Sequence, residues 1–146
     1  MFKLKNMSMS WTIAYDGEME VIRATVTGEL TAKGFKAMTA ELLEESKRRD
    51  IYRILCDCRA ASLAIKLSDI YSLPGELREL GLMSYLMVAL VHSAAPEASS
   101  LFRFLDDRCH NTGLSQKAFI DYDLACLWLT GIDWSIVSNP TAVIAI

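Results

Sequence analysis

Residues 96–131 constrain the fold more than any other stretch of this 146-residue sequence. PEASSLFRFLDDRCHNTG (96–113) spaces Ala98, Leu101, Phe102, Leu105 and Cys109 at helical intervals. That is an amphipathic helix with a proline suited to its first turn and a glycine at its end. Residues 117–120, within QKAFI, read as a short strand. DYDLACLWLTG (121–131) then reads as an Asp121-capped helix that buries Leu124, Ala125, Trp128 and Leu129. A long amphipathic helix, a short strand and an apolar helix in direct succession are the pattern of strand–helix units packed on a mostly parallel sheet.

The alternation extends toward the N-terminus. Residues 10–15 and 19–27 read as two strands joined at Asp16-Gly17, a two-residue hairpin signal. Ile22, Ala24 and Val26 face one way, and Arg23, Thr25 and Thr27 the other, as in a half-buried strand. Gly28 is expected to end it. Thr31 is expected to cap a helix running to about Arg49, with Phe35, Met38, Leu42 and Leu43 as its apolar stripe. Glu44–Arg48 and Glu45–Arg49 form i,i+4 pairs on its solvated side. IYRILCDC (51–58) is a third strand, parallel to the second because long helices flank it. After an irregular stretch, 59–66, Ser68 is placed as the cap of a helix with Ile70, Leu73, Leu77 and Leu80 on one face. Pro74 predicts a kink or restart there, and Gly81 a stop. YLMVALV (85–91) is almost wholly apolar, a central strand with both faces covered or with one face in a subunit contact.

The order ββαβαβαβα predicts an α/β fold: a mostly parallel sheet with right-handed crossovers and an antiparallel N-terminal hairpin strand. One domain is expected over 10–131, after a leader, 1–9. The remainder, IDWSIVSNPTAVIAI (132–146), is apolar and β-prone at 141–146. Such a tail is expected to cover a sheet edge, pack on its own domain or dock on another subunit.

Composition narrows the functional classes. A formal net charge of −3 gives no broad basic field for nucleic acid or anionic lipid. No apolar run approaches the roughly 18 residues of a membrane helix. The start, MFKLKNMSMS, is basic but lacks the apolar middle of a signal peptide, so a cytoplasmic protein is expected. The four cysteines form no Cys-x-x-Cys pair and the chain has two histidines, which supports a zinc site poorly. Cys56, Cys58, Cys109 and Cys126 are read as buried thiols acting as small hydrophobes. No cofactor and no metal are expected.

VTGELTAKGF (26–35), RILCDCRA (53–60) and GLSQKAFIDYDLACLWL (113–129) together resemble the sulfate-transporter and anti-sigma-antagonist (STAS) domain, and within it the SpoIIAA-like branch of small stand-alone bacterial proteins. The strongest likeness is the close, with Phe119, Asp121, Ala125, Trp128 and Leu129. It covers about residues 10–131. The resemblance implies the SpoIIAA-like fold, shared with lipid-carrying CRAL-TRIO (SEC14) domains, and a regulatory role through protein contacts. Phosphoswitch members carry an Asp-Ser-Ser-Gly-like turn where this chain reads RAASLAIKLSDIYSLPG (59–75). Ser68 is the nearest candidate phosphosite, but Asp69 follows it and no glycine does. A plain helix cap is the simpler account of Ser68.

Ligands of parallel α/β sheets tend to bind beyond the carboxyl ends of the strands. That edge predicts Asp57 and Arg59 after the third strand and His92 and Ser93 after the fourth. Converging, these four would suit an anion or small polar ligand, or proton transfer. The plainer account is an Asp57–Arg59 ion pair with His92 satisfied by backbone. No Gly-x-Ser-x-Gly elbow supports a hydrolase, and no glycine-rich phosphate loop appears. Asp106 and His110 share a helix face, read as solvated and salt-bridged, and the adjacent Cys109 and His110 do not face each other. Met38, Met83, Met87 and Trp128 are candidates to line an apolar pocket, or ordinary core. The expected function is a non-catalytic, homodimeric interaction module with an unknown protein partner. The alternative is a carrier or sensor of a small, lipid-like ligand, and an enzyme using Asp57 and His92 ranks last.

Overall fold

The computed structural model describes residues 8–137. Most of the leader (1–7) and the β-prone end of the tail (138–146) lie outside the described residues. In chain order the elements are β1 (Ser10–Asp16), β2 (Val21–Leu30), α1 (Ala32–Arg49), β3 (Arg53–Leu63), α2 (Leu67–Leu80), β4 (Met87–Val91), α3 (Pro96–Asn111), β5 (Ser115–Phe119), α4 (Tyr122–Thr130) and α5 (Trp134–Val137). The sheet runs β1-β2-β3-β4-β5, with β1 antiparallel to β2 and the other pairs parallel. This is the expected order with a short extra helix, and β4 is buried on both faces.

The sheet separates two unequal layers. On one side α1, α2 and α3 pack Phe35, Met38, Leu42, Ile70, Leu73, Leu77, Phe102 and Leu105 onto Ile22, Ala24, Ile54, Cys56, Val88 and Leu90. On the other, α4 seats Ala125, Cys126 and Leu129 on Val21, Leu55, Ala89 and Val91, with Trp134 of the short α5 packed against the same cluster. Burying a large aliphatic side chain stabilises by about 1.5–3 kcal/mol, so the three-helix layer dominates folding.

Several boundaries differ from expectation for identifiable reasons. Asp16 pairs with Val21, so the hairpin loop is residues 17–20, longer than Asp16-Gly17 alone. Asp16 Oδ1 accepts the Glu18 and Met19 amides at 3.1 Å, and Glu20 closes the loop at φ 56°. Gly28 does not end β2. Its left-handed backbone (φ 78°) is carried within the strand, which glycine permits, and Gly28 to Leu30 pair with Ala61 to Leu63. The stretch after Cys58 is therefore strand as far as Leu63.

Ser68 does not cap α2. The helix starts at Leu67, and Asp69 Oδ2 reaches back to accept the Lys66 amide at 3.1 Å. The helix continues through buried Pro74 without a restart. Leu80 and Leu124, expected inside, are exposed, and Cys126 takes the buried place on α4. Glu45 pairs with both Arg48 and Arg49, which displaces the expected Glu44–Arg48 pair. Thr31, Gly81, Pro96 and Asp121 perform the terminal roles read for them.

Candidate functional site

The carboxyl end of β3 is shaped by a bulge. Thr25 pairs with Asp57 but Thr27 with Ala60, so two residues, Cys58 and Arg59, stand opposite Val26. Cys58 enters the three-helix core. Arg59 turns back on Asp57 with a bidentate grip: Nε donates to Oδ1 at 2.9 Å and Nη2 to Oδ2 at 2.8 Å. The Arg59 guanidinium holds the Asp57 carboxyl below its ordinary range. It also lies 5.0 Å from the centre of the Tyr122 ring on α4. Tyr122 accepts from Arg23 Nη1 at 2.9 Å, and Arg23 stands 3.8 Å from Asp16. Thr25, Asp57, Arg59 and Ala60 line an open recess of about 380 Å³ beside α4.

His92 lies on the opposite side of the sheet. Asp57 pairs with Val91, whose side chain joins the α4 cluster, so the next residue along β4 points the other way. His92 is 5% exposed and stacks on Phe102 at 4.8 Å, with the rings 13° from parallel. Its Nδ1–H donates to the Ser93 carbonyl at 2.8 Å, and its amide to the Phe119 carbonyl at 2.9 Å. Ser93 meets His92 through that carbonyl. Asp57, Arg59, His92 and Ser93 therefore do not converge, because successive strand residues point to opposite faces. The ion pair and the backbone-satisfied histidine are both present.

A polar cluster beside His92 was not anticipated. Asp106 Oδ2 accepts the Ala118 amide at 2.9 Å, tying α3 to β5. Its Oδ1 and the Gln116 Nε2 are both buried without a hydrogen-bond partner. Burial pushes the Asp106 carboxyl above its ordinary range, against the pull of the Ala118 amide, Gln116 and His92. The expected solvated Asp106–His110 face is half wrong: His110 is exposed, whereas Asp106 turns in. The signal was present, since Asp106 follows Phe102 by four residues and precedes Cys109 by three, on the flank of the apolar stripe.

The proposed apolar lining is split as well. Met38 is fully buried under α1, while Met87 and Trp128 belong to the α4 cluster across the sheet, Trp128 with its ring 5.9 Å from that of Phe119. Met83 is exposed. Ser68 is exposed in the first turn of α2. All four cysteines are free and buried, and burial pushes the Cys56 and Cys109 thiols up to about 12. Among the described residues no group of three or more potential ligand side chains could hold a metal, and no helix is long and apolar enough to cross a membrane.

The outer surface of α2 and α3 carries an aromatic patch. Leu67 and Tyr71, one helical turn apart, are 56% and 60% exposed. Tyr71 meets Phe104 edge-on at 5.3 Å, and Arg108 lies 5.4 Å from the Tyr71 ring centre while donating to the Tyr71 carbonyl at 2.9 Å.

In architecture the chain is similar to an uncharacterized protein of the DUF3478 family from Shewanella loihica, whose crystal structure is described as having a SpoIIAA-like fold. The TM-score is 0.52 at 20% identity, over 83% of this chain and 93% of that one. The fold of this chain is SpoIIAA-like. No family model and no curated protein matches it.

Proposed function

We propose that this protein is a non-catalytic interaction module of STAS type that works as a homodimer. The observation that carries this reading is the surface patch on α2 and α3 in which exposed Leu67 and Tyr71 adjoin half-buried Phe104 and Arg108. Tyr, Phe and Arg are the side chains enriched where proteins meet. The polar residues that could have done chemistry are instead engaged with one another or with backbone. Asp57 is held by Arg59, and His92 is stacked and hydrogen-bonded. Ser68 stands next to Leu67 at the patch margin. A phosphate there would add nearly two negative charges beside the apolar contact and weaken it.

Light scattering coupled to gel filtration tests this reading. The expected molar mass is that of a dimer, shifting toward the monomer in Tyr71→Glu with the fold retained by circular dichroism. A wild-type monomer at every concentration would contradict the homodimer, and an unchanged dimer in Tyr71→Glu would contradict the patch.

A further inference from the structure

The tyrosines of this chain fall into two groups. Tyr15, Tyr71 and Tyr122 each have an arginine over the ring: Arg49 at 4.6 Å, Arg108 at 5.4 Å and Arg59 at 5.0 Å from the ring centre. Among the described residues no lysine or arginine lies over Tyr52 or Tyr85. These two meet each other instead, edge to face, with centres 5.3 Å apart and planes at 76°. Tyr52 is 40% exposed and Tyr85 63%. The Met87 amide donates to the Tyr52 carbonyl at 2.9 Å, which ties the start of β4 to the residue before β3.

The two rings form one corner of an open recess of about 410 Å³ at the amino ends of β3 and β4. Its charged lining is Glu20, Asp50 and Arg53. Asp50 accepts the Tyr52 hydroxyl and is the C-cap of α1, where the negative end of the helix dipole lies. Among the described residues, Glu20 and Asp50 are the two non-glycine positions with left-handed backbone, φ 56° and 55°. Both line this recess, and such conformations cluster at ligand sites.

We propose that this recess binds a small organic cation carrying a quaternary ammonium group. Tyrosine rings attract a cation through their negative faces, and rings set nearly at right angles offer it two walls. Two carboxylates against one guanidinium leave the lining net negative. The other cations nearby, Lys47, Arg48 and Arg49 in the last turn of α1, line a separate recess beside β1, where Glu45 holds both arginines. The lining also favours a methylated nitrogen over a primary amine. Asp50 is already engaged as an acceptor, while the rings and Met87 supply apolar surface that suits methyl groups and asks for no hydrogen bond.

Titration of the full chain with choline, followed by amide chemical shifts in NMR, tests the proposal. Neohexanol, the uncharged carbon analogue of choline, and ethanolamine, its primary amine, are titrated alongside. The expected result is saturable choline shifts at Tyr52, Tyr85 and Met87 in the millimolar range, weaker ones with ethanolamine and none with neohexanol. Tyr85→Ala and Asp50→Asn should each weaken choline binding by about threefold or more. Both side chains are at the surface, and asparagine keeps the left-handed backbone of Asp50, so the fold is retained. Absence of saturable shifts would overturn the proposal. So would an equal response to neohexanol, which would make the recess merely apolar, or tighter binding of ethanolamine. Unchanged choline affinity in both variants would place the cation elsewhere and overturn it too. The recess shares no residue with the Leu67 and Tyr71 patch, so Tyr71→Glu is expected to change the molar mass and leave choline binding unchanged.

Discussion

The two layers of this molecule are built to different standards. Under α1, α2 and α3 the sheet presents an unbroken apolar surface, and the helices answer with amphipathic stripes whose outer faces are mostly polar. Under α4 the apolar cluster is small and reaches β2 only at Val21. Beyond it the same sheet face carries Arg23, Thr25, Asp57 and Arg59. The first layer buries most of its apolar residues and shows the Leu67 and Tyr71 patch at its surface. The second divides a smaller set between the sheet and the outside of α4, and we expect it to be the less stable of the two.

Matched truncations would break or sharpen this contrast. Leu105→Ala on α3 removes a fully buried side chain from the larger layer, and we expect a loss of about 3–5 kcal/mol by chemical denaturation. Leu129→Ala on α4 removes the same atoms from the smaller layer and is expected to cost about 2–3 kcal/mol. Equal losses at the two sites would mean that the layers are equally tight.

Asp106→Asn goes the other way. Burial raises the Asp106 pKa in the folded state, so the folded protein binds that proton more tightly than the unfolded chain does. Stability linked to this group rises as pH falls through its titration, and the ionised carboxylate is a cost at neutral pH. Asparagine still accepts the Ala118 amide. The variant is expected to gain about 1 kcal/mol at pH 7, with the gain shrinking in acid. A loss of stability at pH 7 would show that the ionised carboxylate is needed to tie α3 to β5.

The smallest effect is expected on the open part of the second face. Arg59 lowers the Asp57 pKa, so that pair's contribution is present above the ordinary carboxylate range and fades as pH falls through the lowered value. Arg59 is largely exposed, and Arg59→Ala should cost about 0.5 kcal/mol or less, measured by denaturation at pH 7. A loss as large as that of Leu129→Ala would make this ion pair a principal support of the second layer.

The element order was legible because hydrophobic periodicity, Thr31 and Asp121 as caps, and Gly81 as a stop all agree locally. The site was less legible because it depends on which sheet face each residue occupies. Asp57 and His92 both follow apolar strands and look adjacent in the sequence pattern. One residue of phase between Val91 and His92 sends them to opposite sides. The bulge at Cys58 and Arg59 leaves no periodic trace, since it is fixed by pairing with β2. Pro74 predicts a kink or restart from its missing donor, and of these the restart is absent: α2 runs as one helix from Leu67 to Leu80 with Pro74 buried inside it. Asp106 shows the reverse case, a polar residue whose place beside an apolar stripe carried more information than its charge.

Native-state hydrogen exchange, resolved to single amides, tests the division between the layers most directly. The account predicts that amides of residues 126–130 in α4 exchange through an opening of lower free energy than those of 105–109 in α3 and 88–91 in β4, which should exchange only on global unfolding. Protection of α4 equal to that of α3 and β4 would contradict it, and would make the two sides of the sheet one cooperative unit.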